Sequence, residues 1–221
     1  MSFAGFPEPA LVFYEGLRAD NTKAYWSDHK AVYDSCVKAP MEALLAELEP
    51  EFGSGKLFRP YRDVRFAKED KTPYKDHAAA ALYQMDGSSG LYLQLNADGL
   101  YVAGGSWRME SDQVARLRAA VADDASGPRL AKLLRALERK GWSIGGERLV
   151  RVPKPYDGDH PRADLLRAKS LSAGLAFEPA EWLHEPECLA RVAQSWRDLR
   201  PLLTWLSRHV GPSTSPATGR R

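Results

Sequence analysis

The sequence predicts a single α+β domain over residues 1–210, with a central, mostly antiparallel sheet packed by N-terminal, middle and C-terminal helices. Apolar residues recur every three or four positions in the first fifty residues and again from Pro186 onward, which is the helical period. Between residues 57 and 105 they form short runs separated by turn sequences, which favours a meander of strands. No linker or internal repeat divides the chain, so we expect helices and strands to share one core.

Two helices are predicted at the N-terminus. Pro9 suits the first turn of the first helix, which ends at the turn-forming pair Asp20-Asn21. Asn21 is the predicted N-cap of the second helix, whose apolar residues keep the helical spacing as far as Leu48. Pro40 should kink or divide this second helix, because proline has no N–H to donate and its ring clashes with the preceding turn.

The middle of the chain is predicted to form antiparallel strands. The extended runs cover residues 57–66, 78–85, 91–95 and 100–105. Turn residues separate the last three runs, as Asp86-Gly-Ser-Ser-Gly90 and as Asn96-Ala-Asp-Gly99. Alternation in the third run should direct its three leucines, Leu91, Leu93 and Leu95, towards the core.

Helices and strands continue towards the C-terminus. We expect helices from Ser111 and over 129–140, a strand over 142–152, a short helix ending near Lys169, a strand over 171–177 and a last helix from Pro186. The Gly145-Gly146 pair should interrupt the first of these strands. The segment from Gly211 to Arg221 is rich in Pro, Ser, Thr and Gly, so it is predicted to be a disordered tail.

Composition and charge exclude several classes of protein. The chain of 221 residues is 44% hydrophobic and 27% charged, the balance of a soluble globular protein. Its formal net charge of +2 offers no general attraction for nucleic acid. Cys36 and Cys188 are too few for a disulfide framework or a zinc site, which favours a cytoplasmic setting. The N-terminus does not resemble a signal peptide, and no apolar run reaches the roughly 18–20 residues that span a bilayer, so we expect no membrane association.

Residues 59–77 form the most distinctive stretch of the chain, which we call the basic segment. It contains six Lys or Arg residues, two Tyr and one His, with apolar Val64 and Phe66 near its middle. A solvated run of charge does not need these two apolar residues, and a core strand does not need three arginines. The mixture predicts a strand that brings cationic side chains together, followed by a loop that folds back over them. We therefore expect a site for an anionic ligand here.

Seven side chains are candidate ligand contacts, because Arg supplies a planar fork, Lys a point charge and Tyr a hydroxyl for phosphate or carboxylate oxygens. They are Arg62, Arg65, Lys71, Tyr74, Lys75, Lys154 and Tyr156. Asp63 stands between two arginines and is expected to orient Arg65 as a bidentate partner. The alternative is that these charges form a structural ion pair at the edge of the sheet.

A second loop, at residues 154–160, repeats this composition with a Lys, a Tyr, two Asp and a His. We hypothesise that the two loops, both stiffened by proline, meet at one end of the sheet. In that case His77 or His160, beside Asp63 or Asp159, would form a general acid/base pair. The alternative is that each histidine is a hydrogen-bonded surface residue.

Metal and nucleotide motifs are not evident. Asp157, Asp159 and His160 lack the glycine-anchored spacing of a calcium loop, so a metal site is not favoured. Gly104-Gly105 is not followed by the pattern of a phosphate-binding loop. The sequence indicates no particular cofactor or reaction.

Four groups of residues carry a resemblance to a known family. They are Phe6-Pro7 with Asn21-x-x-x-x-Trp26; Arg62-Asp-Val-Arg-Phe-Ala-Lys with Lys71-Thr-Pro-Tyr-Lys75; Leu149-x-Arg-Val-Pro-Lys-Pro-Tyr-Asp-x-Asp-His-Pro161 with Leu166-Arg-Ala-Lys169; and Gly104-Gly-Ser-Trp107. Over about residues 3–208 the chain resembles the uncharacterised family known as domain of unknown function 2461. This chain has Thr22 where the family usually carries Asn, and Pro155 where it usually carries Gly. The resemblance implies no established reaction.

Three functions remain open. The leading hypothesis is a domain that binds a small phosphorylated or otherwise anionic molecule, which would show a cleft lined by Arg65 and Lys75. The second is a nucleic-acid-associated protein, in which the basic segment contacts backbone phosphates and Tyr61 or Tyr74 stacks on a base; its small net charge argues against it. The third is a structural or interaction protein, in which the arginines are buried and fully paired.

Overall fold

The computed structural model describes residues 2–65, 69–83 and 88–214, and it shows an antiparallel sheet with helices. The strands are β1 (Gly55–Leu57), β2 (His77–Tyr83), β3 (Gly90–Asn96), β4 (Gly99–Ser106), β5 (Ser143–Gly145) and β6 (Leu171–Phe177). Their order across the sheet is β1-β2-β3-β4-β6-β5. The first four strands follow one another as a meander, so the predicted α+β class is confirmed.

The helices agree closely with the sequence periods. They are α1 (Pro9–Ala19), α2 (Lys23–Val32), α3 (Ala39–Phe52), α4 (Ser111–Ala122), α5 (Gly127–Glu138), α6 (Ala163–Leu166) and α7 (Glu187–His209). A π-helical turn at Tyr33–Lys38 separates α2 from α3, immediately before Pro40. Because Pro40 has no N–H, the α-helical hydrogen-bond pattern changes to this π-helical turn before it, while the backbone stays helical from Lys23 to Phe52. None of the helices in the described ranges is long and apolar enough to cross a membrane.

The predicted strand over 142–152 is wrong in its extent. Only Ser143–Gly145 forms a strand, paired with β6 in the register Ile144 to Ala173. Gly146 has a φ of 133°, and a Cβ at this position would meet the backbone oxygen of Ser170. The ladder therefore stops at this glycine, and pairing resumes only as an isolated bridge between Arg148 and Ala168.

The chain divides into two compact units. Unit 1 contains residues 1–82, 92–102 and 176–195, and unit 2 contains residues 83–91, 103–175 and 196–221. Each has its own buried apolar residues, which include Leu17, Met41, Leu44 and Leu93 in unit 1 and Leu117, Leu130, Trp196 and Leu199 in unit 2. The three leucines predicted to face the core, Leu91, Leu93 and Leu95, are all buried. That residues 1–210 behave as a single domain stays a prediction.

Within unit 1, α1 and α2 approach closely at Gly16. The Tyr25 side chain crosses α1 at this point, and its hydroxyl donates a 3.0 Å hydrogen bond to the Phe13 carbonyl. A Cβ on Gly16 would collide with the same hydroxyl. The missing side chain therefore lets the start of α2 lie directly against α1, which positions the loop between them for the site described below.

The C-terminal segment departs from the predicted tail. The amide of Gln113 donates a 2.8 Å bond to the Gly211 carbonyl, and Asp112 accepts bonds from the Ser213 hydroxyl and from the backbone N–H of Thr214, each at 2.8 Å. The N–H of Thr214 is the main cause of a lowered pKa at Asp112. Residues 211–214 are thus docked on α4, because side chains in the first turn of this helix form hydrogen bonds with this segment. Residues 215–221 lie outside the described ranges, so their predicted disorder stays a prediction.

Two truncations test this docking. Ending the chain at Val210 should lower the melting temperature by roughly 2–4 °C, equivalent to about 1 kcal/mol, since the lost bonds are partly offset by chain entropy. Ending it at Thr214 should leave the melting temperature unchanged. The difference should shrink below about pH 4, because a carboxylate with a lowered folded pKa stabilises above its unfolded pKa and loses that contribution as pH falls. Equal melting temperatures at neutral pH would show that 211–214 contribute nothing.

Candidate functional site

The described residues of the basic segment form the two arms of a hairpin that extends β1 and β2. Beyond the strands, the Phe58 N–H donates to Ala79 and the Lys75 N–H donates to Pro60, both at 2.8 Å. Tyr61 and Tyr74 form an antiparallel bridge. The predicted extended run is thus found as far as Tyr61, although as separate pieces and not as one strand. Its end at Phe66 lies outside the described residues.

Aromatic packing holds the hairpin on α2. The ring of Tyr74 stacks on Trp26 with a centroid distance of 4.2 Å and an interplanar angle of 7°. Both residues are buried, whereas Tyr61 beside them is half exposed. Phe13 and Tyr33 also contact Trp26, at centroid distances of 5.7 and 4.8 Å. Tyr74, a candidate ligand contact, therefore has its ring committed to this packing.

Asn21 fastens the hairpin at the same position. Its amide nitrogen donates to the Tyr74 carbonyl at 3.0 Å, and its amide oxygen accepts from the Tyr74 N–H at 3.1 Å. The side chain thus imitates a neighbouring strand. The prediction that Asn21 caps α2 is wrong, because the Thr22 hydroxyl accepts from the Tyr25 N–H and is the actual cap.

An arginine joins the two arms of the hairpin. Arg62 Nη1 lies 2.5 Å from an Asp70 carboxylate oxygen and also donates to the Thr72 hydroxyl. The other Asp70 oxygen accepts from the Thr72 N–H at 3.0 Å. The N–H and hydroxyl of Thr72, followed by Arg62, lower the pKa of Asp70 to about 2, so this carboxylate stays ionised.

These contacts shape a cleft of about 440 Å³ in unit 1. Its lining residues are Arg18, Asn21, Arg62, Asp70, Thr72, Tyr74, Lys75, Asp76 and His77. Arg18, at the end of α1, is paired bidentately with Asp98 at 3.1 and 2.8 Å. The cleft therefore combines cations from α1 and from both arms of the hairpin.

Lys75 has the least compensated charge of this cleft. It is half buried, and its ammonium lies 5.5 Å from the centroid of the Phe58 ring. Within the described ranges no carboxylate lies within 4.0 Å of it. Burial, followed by the nearby positive charge of Arg59, lowers the pKa of Lys75.

His77 pairs with its neighbour. Its Nδ1 lies 2.8 Å from an Asp76 carboxylate oxygen. Because an ionised carboxylate only accepts, Nδ1 carries the hydrogen and Nε2 is left to exchange protons. The sequence analysis expected Asp63 or Asp159 beside a histidine. In the structure, the carboxylate that contacts His77 is that of Asp76.

Two candidate contacts of the basic segment lie outside the lining of this cleft. The side chain of Arg65 is 77% exposed, and its Nε and Nη2 donate to the two oxygens of Asp63 at 2.9 and 2.7 Å. The predicted bidentate pair is therefore present, and it lowers the pKa of Asp63 to about 2. Lys71 is exposed on the same loop. Neither Arg65 nor Lys71 lines the cleft, so their predicted contact with a ligand stays a prediction.

The second loop belongs to unit 2, and its side chains mainly shape the loop itself. The Asp157 carboxylate accepts from the Asp159 N–H at 3.0 Å, and His160 Nδ1 accepts from the Arg162 N–H at 3.0 Å. Lys154 is exposed, and Tyr156 is half buried. The meeting of this loop with the basic segment stays a prediction. No group of three potential metal ligands occurs within the described ranges.

Five lining residues were not among the candidates from the sequence, namely Arg18, Asn21, Asp70, Thr72 and Asp76. Of these, Asn21 was predicted only as a helix cap. The Asn21-x-x-x-x-Trp26 pattern contained a signal for two of the contacts, since both residues hold Tyr74.

Comparison with known proteins places the chain in a family but supplies no activity. No curated protein and no solved structure gives a significant match. Residues 9–205 match the family described as "Conserved hypothetical protein (DUF2461)", which spans nearly the whole chain and agrees with the resemblance of the motifs. The chain therefore belongs to the conserved DUF2461 family.

Proposed function

We propose that the cleft of unit 1 binds a small anionic molecule, with a phosphate group as the favoured anion. The observation that carries the proposal is Lys75, a half-buried ammonium without a carboxylate partner in the described part of the chain. Burying an uncompensated charge costs free energy, and an anion in the cleft would offset that cost.

Arg62 supports the same function. Its Nη1 is engaged by Asp70 and Thr72, whereas its Nε and Nη2 have no hydrogen-bond partner among the described residues. These two nitrogens form the planar edge that binds phosphate or carboxylate through two parallel hydrogen bonds. Asp70 therefore orients Arg62 without occupying its whole guanidinium group.

The size of the site favours a small molecule over a polymer. A volume of about 440 Å³ lies within the usual range of small-ligand pockets. The nucleic-acid alternative required Tyr61 or Tyr74 to stack on a base, and the Tyr74 ring is buried against Trp26. Tyr61, which is half exposed, remains the stacking candidate of that alternative. The cytoplasmic location expected from the two cysteines is part of the proposal.

Thermal shift measurements test the proposal. Inorganic phosphate, nucleotides, sugar phosphates and short single strands should be titrated against the wild-type protein at low and high salt. A true ligand at about one hundred times its dissociation constant adds about 2.7 kcal/mol to the folded state, which corresponds to roughly 5–10 °C for a chain of this size. We expect a phosphate-bearing small molecule to cause this rise and Lys75→Met to abolish it.

Lys71→Met is the matched control, because it removes the same charge from the same loop outside the cleft. It should retain the full rise, as should Arg65→Met. Arg62→Lys should weaken binding, since it keeps the charge but loses the planar fork. If single strands alone raise the melting temperature, with a steep salt dependence, the nucleic-acid alternative is correct. If no anion in the panel has an effect, the arginines are structural and the proposal fails.

A further inference from the structure

Lys75 and Lys71 lie four positions apart on the same hairpin but in different surroundings. Lys71 is exposed. Lys75 is half buried, lines the cleft, and has Arg59 as a neighbouring positive charge. Desolvation and a nearby cation both favour the neutral amine, and these are the two ways in which proteins make a lysine nucleophilic. The lowered pKa of Lys75 agrees with this geometry.

The same cleft holds a group that can move protons. Asp76 and His77 follow Lys75 directly in the chain and also line the cleft. The 2.8 Å contact to Asp76 fixes the hydrogen on Nδ1 of His77 and leaves Nε2 to accept or donate a proton. A nucleophilic amine, an anion-binding arginine and a proton donor therefore share one small site.

We propose that Lys75 forms an imine with the carbonyl group of an anionic aldehyde or ketone bound in this cleft. The anionic part of the ligand would be held by Arg62, so this half of the inference rests on the proposed function. The carbonyl carbon is the part that would distinguish the ligand from a simple phosphate ester.

The step balances without any further reactant. The neutral amine of Lys75 adds to the carbonyl carbon, and a proton moves from nitrogen to oxygen to form a carbinolamine. The imidazolium form of His77, which carries a hydrogen on both ring nitrogens, gives its Nε2 proton to this hydroxyl, and water leaves as the C=N bond forms. The resulting iminium then returns its N–H proton to His77 Nε2, which leaves the neutral imine. Addition of water to the C=N bond reverses the sequence and regenerates the lysine.

Reductive trapping tests the inference on the full-length protein. Pyridoxal 5′-phosphate is a suitable probe because it carries both an aldehyde and a phosphate. The protein is incubated with the probe at neutral pH, reduced with borohydride, and mapped by peptide mass spectrometry. We expect Lys75 to be labelled well above Lys71 and Lys154, since the neutral fraction of an amine below its pKa rises about tenfold for each unit by which the pKa falls.

Two variants and one second probe separate the possible results. Lys75→Arg keeps the positive charge but cannot form an imine, so it should lose the label while retaining a measurable phosphate-induced rise in melting temperature. His77→Gln should slow the labelling of Lys75. Its affinity for phosphate should stay higher than that of Lys75→Met. Pyridoxal, which lacks the phosphate, should label Lys75 far less than the phosphorylated probe.

The inference and the proposed function fail in different ways. Label spread equally over Lys71, Lys75 and Lys154 overturns the imine. A phosphate-induced rise without label at Lys75 also overturns the imine but leaves the proposed function in place. Equal labelling by both probes, with no rise on phosphate addition, overturns the requirement for an anion and the proposed function together.

Discussion

Replacing Trp26 with alanine is expected to lower the free energy of unfolding by about 3–5 kcal/mol, the usual cost of removing a buried aromatic side chain. Trp26 is 5% exposed, and its ring packs against the rings of Tyr74, Phe13 and Tyr33. The cavity would therefore open between α2 and the hairpin. Because Tyr74 would lose its stacking surface, we also expect the phosphate-induced rise in melting temperature to disappear.

Two further substitutions separate packing from other effects. Trp26→Phe should cost much less than the alanine variant, because it keeps an aromatic surface and because Trp26 Nε1 has no hydrogen-bond partner within the described residues. Ser27→Ala changes the next, exposed position of α2 and should alter stability by no more than about 0.5 kcal/mol. Urea unfolding followed by far-ultraviolet circular dichroism measures all three. A loss for Trp26→Ala as small as that for Ser27→Ala would contradict the packing.

The second large effect is expected in the last helix. Leu203 on α7 is 6% exposed, so Leu203→Ala should lower the free energy of unfolding by about 2–5 kcal/mol. Thr204→Ala, at the adjacent exposed position, is the control and should be close to neutral. If Leu203→Ala were also silent, this side of α7 would not belong to the core.

Together these variants test the number of domains, because Trp26 lies in unit 1 and Leu203 in unit 2. If the chain is a single cooperative domain, each substitution should shift one common unfolding transition. Two transitions, each moved by only one substitution, would instead show that the units unfold independently. The prediction of a single domain would then be wrong.

Much of the fold could be predicted because its signals are local. The strand expected over 171–177 has those bounds, and α1 begins at Pro9 as expected from the first-turn preference of proline. Periods of two and of three to four residues depend only on neighbouring positions, so one sequence is enough to identify them. The π-helical turn before Pro40 has the same local origin.

The predictions from the sequence were wrong where a residue forms its hydrogen bonds with a partner that is distant in the chain. Asn21 has the chemistry of a helix cap, but its amide binds the backbone of Tyr74, 53 positions away. Gly211 to Thr214 have the composition of a loose tail, yet α4 binds them across about one hundred positions. Local propensity describes the conformation or hydrogen bond that a residue favours with its near neighbours in the chain. A partner that is distant in the chain but has better hydrogen-bond geometry overrides that preference.

For the candidate site, composition indicated the region but not the geometry. The basic segment does contain the lining residues Arg62, Lys75 and His77. Arg65 has the same chemistry as Arg62, but the two residues are an odd number of positions apart. In an extended strand their side chains would therefore point to opposite faces. Which of them faces the cleft depends on how the hairpin is fastened, and that is decided by Trp26 and Asn21.

The sequence by itself determined the α+β class, the order of most helices and strands, the family, and the segment in which cations are concentrated. Each of these follows from residue type and spacing along the chain. Only the tertiary structure decided that Arg62 is oriented by Asp70, that Lys75 lacks a carboxylate partner in the described residues, and that Asp76 holds His77 in the cleft. The physical reason is that burial and charge pairing depend on distances through space, which the chain sets only once α1, α2 and the hairpin have packed together.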